Sequence, residues 1–385
     1  VNTEAIVPVD LDLDPDLDVD ADVDAEIDAL GALIPSSPST PDPDDRRSMR
    51  TRLLDLGRVS LALTIAVVVY AAFLVAKGAS PTDVFSAMWE SAFGDADSFG
   101  ETLLRTSPLL LGALAVALPA RAGLFNIGGQ GQMLMGGVGA TAAGQALGDG
   151  TPMWFTLTVM GLAGAVGGLA WAALPALLKV TMRANETITS LLLNYVAAII
   201  LSWLVFGPWK DPSSLGQAYS EELVGAQRLP ILWGSRVNAG ILVAPIAALV
   251  VFVILRWSRW GFRLQVFGGN PDAAFRAGFS VRLLAVSALT AGGALAGLAG
   301  FVELAGIEGR LRPDIMPGYG YIAFLAAWLA RHHPLRAVVS AFVLAAIAVG
   351  GNGLKISAGL SGAAVNILMA LVLLAVLGWG GKEAA

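Results

Sequence analysis

The side chains with the most chemistry to offer stand where polar groups are least expected. Three amides and four glycines interrupt a long apolar stretch in Arg121-Ala122-Gly123-Leu124-Phe125-Asn126-Ile127-Gly128-Gly129-Gln130-Gly131-Gln132-Met133. Asn126, Gln130 and Gln132 each offer donors and acceptors to a polar solute, and the glycines let the chain break or neighbours approach closely. Backbone that leaves the helix at membrane depth survives only where protein buries it or a water-filled cavity lines it. The segment therefore reads either as part of a solute pathway or as small-residue helix packing glued by amides.

A second interruption, Gly309-Arg310-Leu311-Arg312-Pro313 followed by Pro317-Gly318-Tyr319-Gly320-Tyr321, falls in the other half of the chain. Paired Gly/Pro breaks of this kind hint at a pathway between pseudo-repeats. Asn270-Pro271-Asp272 is a helix-start signal, with proline at the first helical position and an acid at the positive helix end. The helix predicted over 272–278 is too polar to span a bilayer and sits in the most basic loop. It suits a surface that a cytoplasmic partner grips; headgroup contact through Arg259, Arg263, Arg276 and Arg282 is the alternative.

Catalytic chemistry finds few residues to work with. There is no cysteine, and the only histidines, His332 and His333, are adjacent without further metal ligands in view, so neither a catalytic group nor a metal site is expected. No cofactor is implied: Gly137-Val138-Gly139-Ala140-Thr141-Ala142 fits a dinucleotide pattern formally but lies inside an apolar stretch. Gly380-Gly381-Lys382 is followed by Glu383 rather than Ser or Thr, so the chain is not expected to be its own P-loop ATPase. Intramembrane carboxylates, which ion-coupled carriers place near mid-membrane, are scarce, with Glu303 the main candidate and Glu308 following it.

The elements that must position these residues are membrane helices. The chain is 56% apolar and 14% charged, with a mean hydropathy of +0.69, against roughly 25% charged residues for a soluble domain. Spans are predicted near 59–77, 103–120, 123–147, 152–178, 187–207, 239–256, 284–304, 318–330, 335–350 and 363–380, giving an all-α polytopic bundle of about ten spans. Segment 318–330 is the shortest and reads as partly re-entrant. With the N-terminus inside, 16 Lys and Arg fall on inner segments and 7 on outer ones, with Arg105 at a boundary, which favours both termini inside.

Of the 30 acidic residues, 14 precede residue 46. Residues 1–50 alternate Asp with Val or Leu and then turn rich in Pro, Ser and Asp, a pattern that self-repels and predicts a disordered acidic cytoplasmic tail. No positive n-region with an apolar core occurs there, so no secretory signal is expected. Residues 51–385 then form the transmembrane domain, with its basic cytoplasmic segment near 257–283.

Gly123–Gln132 resembles the signature of permease subunits of ABC importers for nucleosides and simple sugars, the ribose-type branched family. The common family form has an acid where Gln130 stands. Asn185-Glu186-Thr187-Ile188-Thr189-Ser190-Leu191-Leu192-Leu193-Asn194-Tyr195 is similar to the family segment opening the fifth span, and 309–321 to its second broken region. Gly268–Gly278 resembles its cytoplasmic coupling segment, which makes Gly269, Asn270, Pro271, Asp272, Ala273, Ala274, Arg276 and Gly278 the coupling candidates. The resemblance covers about residues 55–380. It implies a cell-membrane permease importing a nucleoside or simple sugar, with Asn126, Gln130, Gln132 and Asn194 along the pathway. It also implies a cytoplasmic ATPase subunit, a second permease subunit (homologous or identical) and an extracytoplasmic solute-binding protein, with the lipid bilayer as solvent and no nucleic acid. The alternative is an ion-coupled secondary transporter of a small polar solute.

Overall fold

The computed structural model describes residues 49–148, 150–214, 216–232, 236–357 and 362–380. The acidic-tail reading falls almost wholly on residues 1–48, outside the described residues. The chain divides into Val1–Gly57 and Arg58–Ala385; the first unit contributes only the opening turns of helix α1 to what is described.

Thirteen α-helices are found among the described residues: α1 (Met49–Ala76), α2 (Pro81–Phe93), α3 (Ala96–Ala120), α4 (Gly129–Leu147), α5 (Met153–Met182), α6 (Glu186–Phe206), α7 (Gly240–Trp257), α8 (Arg259–Gly269), α9 (Pro271–Arg276), α10 (Val281–Glu303), α11 (Tyr319–Leu329), α12 (Pro334–Ser357) and α13 (Gly362–Gly380). An isolated antiparallel bridge, Ile231 to Asn238, is the extent of β pairing among these residues.

The helices sort by where their apolar surface goes. In the apolar window of α3, 83% of residues are buried inside the protein, against 22% in α7 and 28% in α5 and in α6. α3 is thus apolar all round and central. The outer helices leave whole faces bare, such as Leu162, Val166 and Leu169 on α5, Ile188, Leu192, Ile199 and Trp203 on α6, and Leu242, Ile246 and Leu249 on α7. Faces that large are untenable in water and require lipid or another apolar partner.

α10 crosses the middle, packed against α5, α3 and α4. Its small residues let backbones touch: a Cβ on Gly293 would sit 2.6 Å from the carbonyl oxygen of Gly168, and one on Gly297 2.9 Å from Gly168 Cα. Without a hydrophobic driving force between helices in lipid, such backbone contact is a main source of packing energy.

Six described helices are long and apolar enough to cross a membrane, or up to seven if the bent pair Ser60–Ala76 and Pro81–Phe93, which turns through 114°, is one span. Of the ten spans read from sequence, 103–120, 152–178, 187–207, 239–256, 284–304 and 335–350 correspond to these six, and 59–77 to the first arm of the bent pair. The other three differ for physical reasons. The 123–147 segment becomes helical only at Gly129, because the glycines and amides before it break the backbone, and α4 is too rich in glycine and glutamine to pass on apolarity. Tyr319–Leu329 is 11 residues long, about 16 Å, half of a hydrocarbon core. The apolar part of α13 is likewise short, Ala363–Ala375.

Candidate functional site

The first break begins where α3 ends at Ala120 and the chain turns through Gly123 at φ +68°. Residues 121–128 have no helical ladder, so their backbone groups need other partners. Asn126 supplies one of them, held in place by a reciprocal pair with Gln132. Asn126 Nδ2 donates to Gln132 Oε1 and Gln132 Nε2 donates back to Asn126 Oδ1, both at 2.9 Å. Asn126 Oδ1 also accepts from Gly128 N at 3.1 Å, and its Nδ2 reaches Ala115 O at 3.3 Å. Asn194 of α6 completes the repair, donating to Ile127 O at 3.0 Å and accepting from Gly131 N at 2.8 Å. All three side chains are buried. Phe125, 41% exposed, stacks on Trp328 at the end of α11 with centroids 5.9 Å apart.

The second break opens where α10 runs into a π-helical turn, Leu304–Glu308, and then Gly309 at φ +77°. The loop over residues 208–238 supplies the missing partners. Leu229 N donates to Ala305 O at 2.9 Å and Leu223 N to Gly309 O at 2.7 Å, while Ser220 N donates to Leu311 O at 3.0 Å. Leu311 N donates to Ser220 Oγ at 2.9 Å, and Asn238 Nδ2 to Gly306 O at 2.8 Å. The chain then passes through Met316 (φ 56°) and Gly318 (φ 76°) into α11. A buried methionine in the left-handed region is strained backbone held by its surroundings.

One side chain joins the two breaks. Gln130 Nε2 donates to Met316 O at 2.8 Å, and Gln130 Oε1 accepts from Gly320 N at 2.7 Å. Gly320 is the second residue of α11, so its N–H has no intrahelical acceptor. Gln130, the second residue of α4, thus caps α11 from another helix, and the two helix N-termini converge on one amide. A Cβ on Gly112 would meet Ala323 at 2.7 Å and Met133 at 3.7 Å, which puts all three at one level, about two turns or ~12 Å from the Arg121 end of α3.

Beside this junction is a cluster of ionisable groups. Arg105 Nε donates to Glu101 Oε1 at 2.7 Å, and its Nη1 reaches Glu303 Oε1 at 3.3 Å and the Tyr319 hydroxyl. Glu303 is fully buried and its Oε2 has no hydrogen-bond partner. Ionisable residues buried inside a bundle of membrane helices are rare and tend to be functional. The sequence singled out Glu303 but not its pairing with Arg105, because residues 198 positions apart leave no spacing signal.

The coupling candidates form α9. Asn270 Oδ1 accepts from Asp272 N and Ala273 N, each at 3.0 Å, Pro271 opens the helix, and Gly278 ends the turn at φ +78°. Ala274 is fully buried as the foot of the helix, while Gly269, Asp272, Ala273 and Arg276 are exposed. So is Phe275, at 73%, which the sequence reading passed over. Just before it, Gly268 packs backbone to backbone on the first break: a Cβ there would lie 3.2 Å from the Ala122 carbonyl carbon and collide with the Arg121 carbonyl. A cavity of about 490 Å³ between the break and α9 is lined by Gly123, Lys179, Arg183, Pro271 and Arg282 among others. The segment before α9 and the first break are therefore in direct backbone contact.

Residues 98–377 match the family described as the permease component of the branched-chain amino acid transport system. The chain belongs to this family. The permease is similar to a glucose ABC transporter permease of Haloferax volcanii, 35% identical over 86% of this chain and 89% of the relative. A guanosine ABC transporter permease of Bacillus subtilis is 30% identical over 82% of this chain and 91% of its own. A nucleoside ABC transporter permease of Lactococcus lactis is 26% identical over 76% and 83%. No solved structure matches the chain. The protein is thus a multi-pass plasma-membrane permease subunit of an ABC transport system, and the resemblance read from its motifs holds.

In this permease the four amides nominated from sequence come together around the first break, and the eight coupling candidates lie on one short helix and its flanks. His332 and His333 form the turn between α11 and α12, with φ of 55° for His332. Burial, with Arg121 beside both and Arg336 beside His333, holds the two imidazoles below their ordinary pKa. No cluster of three or more His, Cys, Asp or Glu suited to a metal occurs among the described residues.

Proposed function

We propose that this permease carries a nucleoside or simple sugar into the cytoplasm past the junction of the two broken helices. Gln130 faces the solute, while Asn126, Gln132 and Asn194 hold the frame behind it. The observation that carries this reading is the Gln130 bridge, since it is partly exposed where the other three are buried. The relatives named for glucose, guanosine and nucleosides supply the solute class. Those solutes are polyhydroxylated and uncharged, in keeping with a junction lined by amides and backbone.

The working assembly in this reading has ten spans with both termini inside. The three helices that fail on length or apolarity each count as a crossing, and the 16-to-7 distribution of basic residues supports this orientation. Residues 51–385 form the permease domain, and residues 1–50 are a separate acidic tail. A cytoplasmic ATPase subunit hydrolyses ATP and grips α9, with Phe275 and Arg276 entering its surface. A second permease subunit completes the channel, and an extracytoplasmic binding protein delivers solute. ATPase closure moves α9, and the Gly268–Ala122 contact carries that motion to the first break.

The test is uptake into proteoliposomes holding the permease with its ATPase and binding protein. ATP-driven accumulation of labelled nucleoside or sugar is expected. Uptake by this chain alone under an ion gradient would replace the importer with a secondary carrier.

A further inference from the structure

We propose that the Arg256 end of α7 and the first turns of α8 form a seat for the headgroup of an anionic phospholipid. The seat is independent of which solute the permease moves. α7 is an apolar span that stops at Trp257, and Ser258 at once caps α8, its Oγ accepting from Gly261 N at 2.9 Å. Gly261 lies so close to the end of α7 that a Cβ would stand 2.5 Å from Leu255 O and 2.6 Å from Ile254 O. The chain therefore turns out of the bilayer within one residue and lays α8 against the end of the span.

α8 is amphipathic in a way that suits an interface. Gly261, Leu264 and Phe267 are buried against the bundle, while Arg259, Phe262, Arg263 and Gln265 are exposed. Trp257 is 71% exposed and Phe262 62% exposed. Aromatic rings alternating with arginines at the end of a span match the headgroup layer, where such rings prefer to lie. Together these residues line a cavity of about 430 Å³ with Arg256, Ser258 and Phe279, and the Arg263 guanidinium lies 5.4 Å over the Phe279 ring.

The charge on this seat is uncompensated. Arg256, Arg259 and Arg263 form no ion pair among the described residues, and no Asp or Glu occurs from residue 223 to 271. Three guanidiniums gathered beside exposed aromatic surface fit an acidic headgroup whose acyl chains run down α7. A free phosphate satisfies the charge but leaves the rings in water. The exposed face of the ATPase-coupling helix is separate, beginning at Pro271.

The full-length permease in neutral detergent, titrated with phosphatidylglycerol, phosphatidylcholine or inorganic phosphate and read by native mass spectrometry, tests the seat. Retained phosphatidylglycerol is expected, with phosphatidylcholine and phosphate failing to compete. Each Arg→Gln change weakens retention about fivefold, and the triple variant R256Q/R259Q/R263Q by far more. The control K77Q/K210Q/R236Q, of equal charge change, leaves retention intact. If the triple variant does not remain monodisperse, R259Q alone carries the comparison. Equal retention by the triple variant or R259Q, equal loss in the control, equal binding of phosphatidylcholine or phosphate, or displacement of the lipid by added ATPase subunit each overturns the proposal.

Discussion

Replacing Gln130 separates its capping role from its place beside the pathway. In Gln130→Leu the side-chain volume is nearly kept while two bonds go, the 2.7 Å one from Gly320 N and the 2.8 Å one to Met316 O. Met316 O retains Tyr319 N at 3.3 Å, but Gly320 N has no substitute because helix geometry denies it one. An orphaned buried donor costs about 1–3 kcal/mol, which corresponds to about a 5–150-fold fall in the population with the two helix ends joined. Gln130→Glu keeps the acceptor for Gly320 N, gains from two positive helix ends by about 0.3–1 kcal/mol, and loses the donation to Met316 O, worth about 0.5–1.5 kcal/mol. Unfolding free energy in mixed micelles and ATP-driven uptake are the two readouts. Q130L is expected to lose at least 1 kcal/mol and most of its uptake, with Q130E close to wild type. Q130L with wild-type stability and uptake would refute the claim that this amide ties the half-helices together.

Four further outcomes are expected. Arg105→Ala strands the Glu303 carboxylate, whose ion-pair partner among the described residues is Arg105, and destabilises by about 3–5 kcal/mol; adding Glu303→Leu in the same chain recovers much of this in a double-mutant cycle read by unfolding. Asn270→Ala removes the cap of α9 at a cost of about 1 kcal/mol, and Phe275→Ala leaves stability unchanged, yet both weaken ATPase assembly in pull-down. Gly297→Ala forces a methyl against Gly168 and lowers stability by about 1–3 kcal/mol, measured by thermal aggregation in detergent. The lowered pKa of His332 and His333 means that the unfolded chain takes up protons first as pH falls through its ordinary histidine range near 6.5. Their contribution to stability is therefore full above that range and lost below it. A titration in which His332→Gln leaves the acid limb of the stability curve unchanged would contradict this.

Much of this architecture is legible in the order of residues, because apolar runs and charge asymmetry are summed over many positions and survive local exceptions. The first break is legible too, in the glycines and amides that interrupt an otherwise apolar stretch. The direction in which those amides point is not, since Asn126 satisfies Gln132 only once α4 has folded back over the turn. The short helix α2, capped by Ser80 with Pro81 in its first turn, is absent from the spans predicted from sequence. Least legible were the partners supplied from afar. The residues of the 208–238 loop that repair the π-turn carry ordinary loop chemistry, and nothing in their sequence points to Ala305 or Gly309.

The contact of Gly268 with Arg121 and Ala122 has a mechanical meaning. Two main chains meet with no side chain between them, so the linkage has neither rotamers to absorb a small displacement nor a compressible gap to close first. Such a joint transmits like a gear without backlash. In the importer proposed above it would also divide labour along the chain: the exposed positions of α9 could change with the partner that grips them, while the movement passed on would depend on backbone that substitution at those positions does not touch.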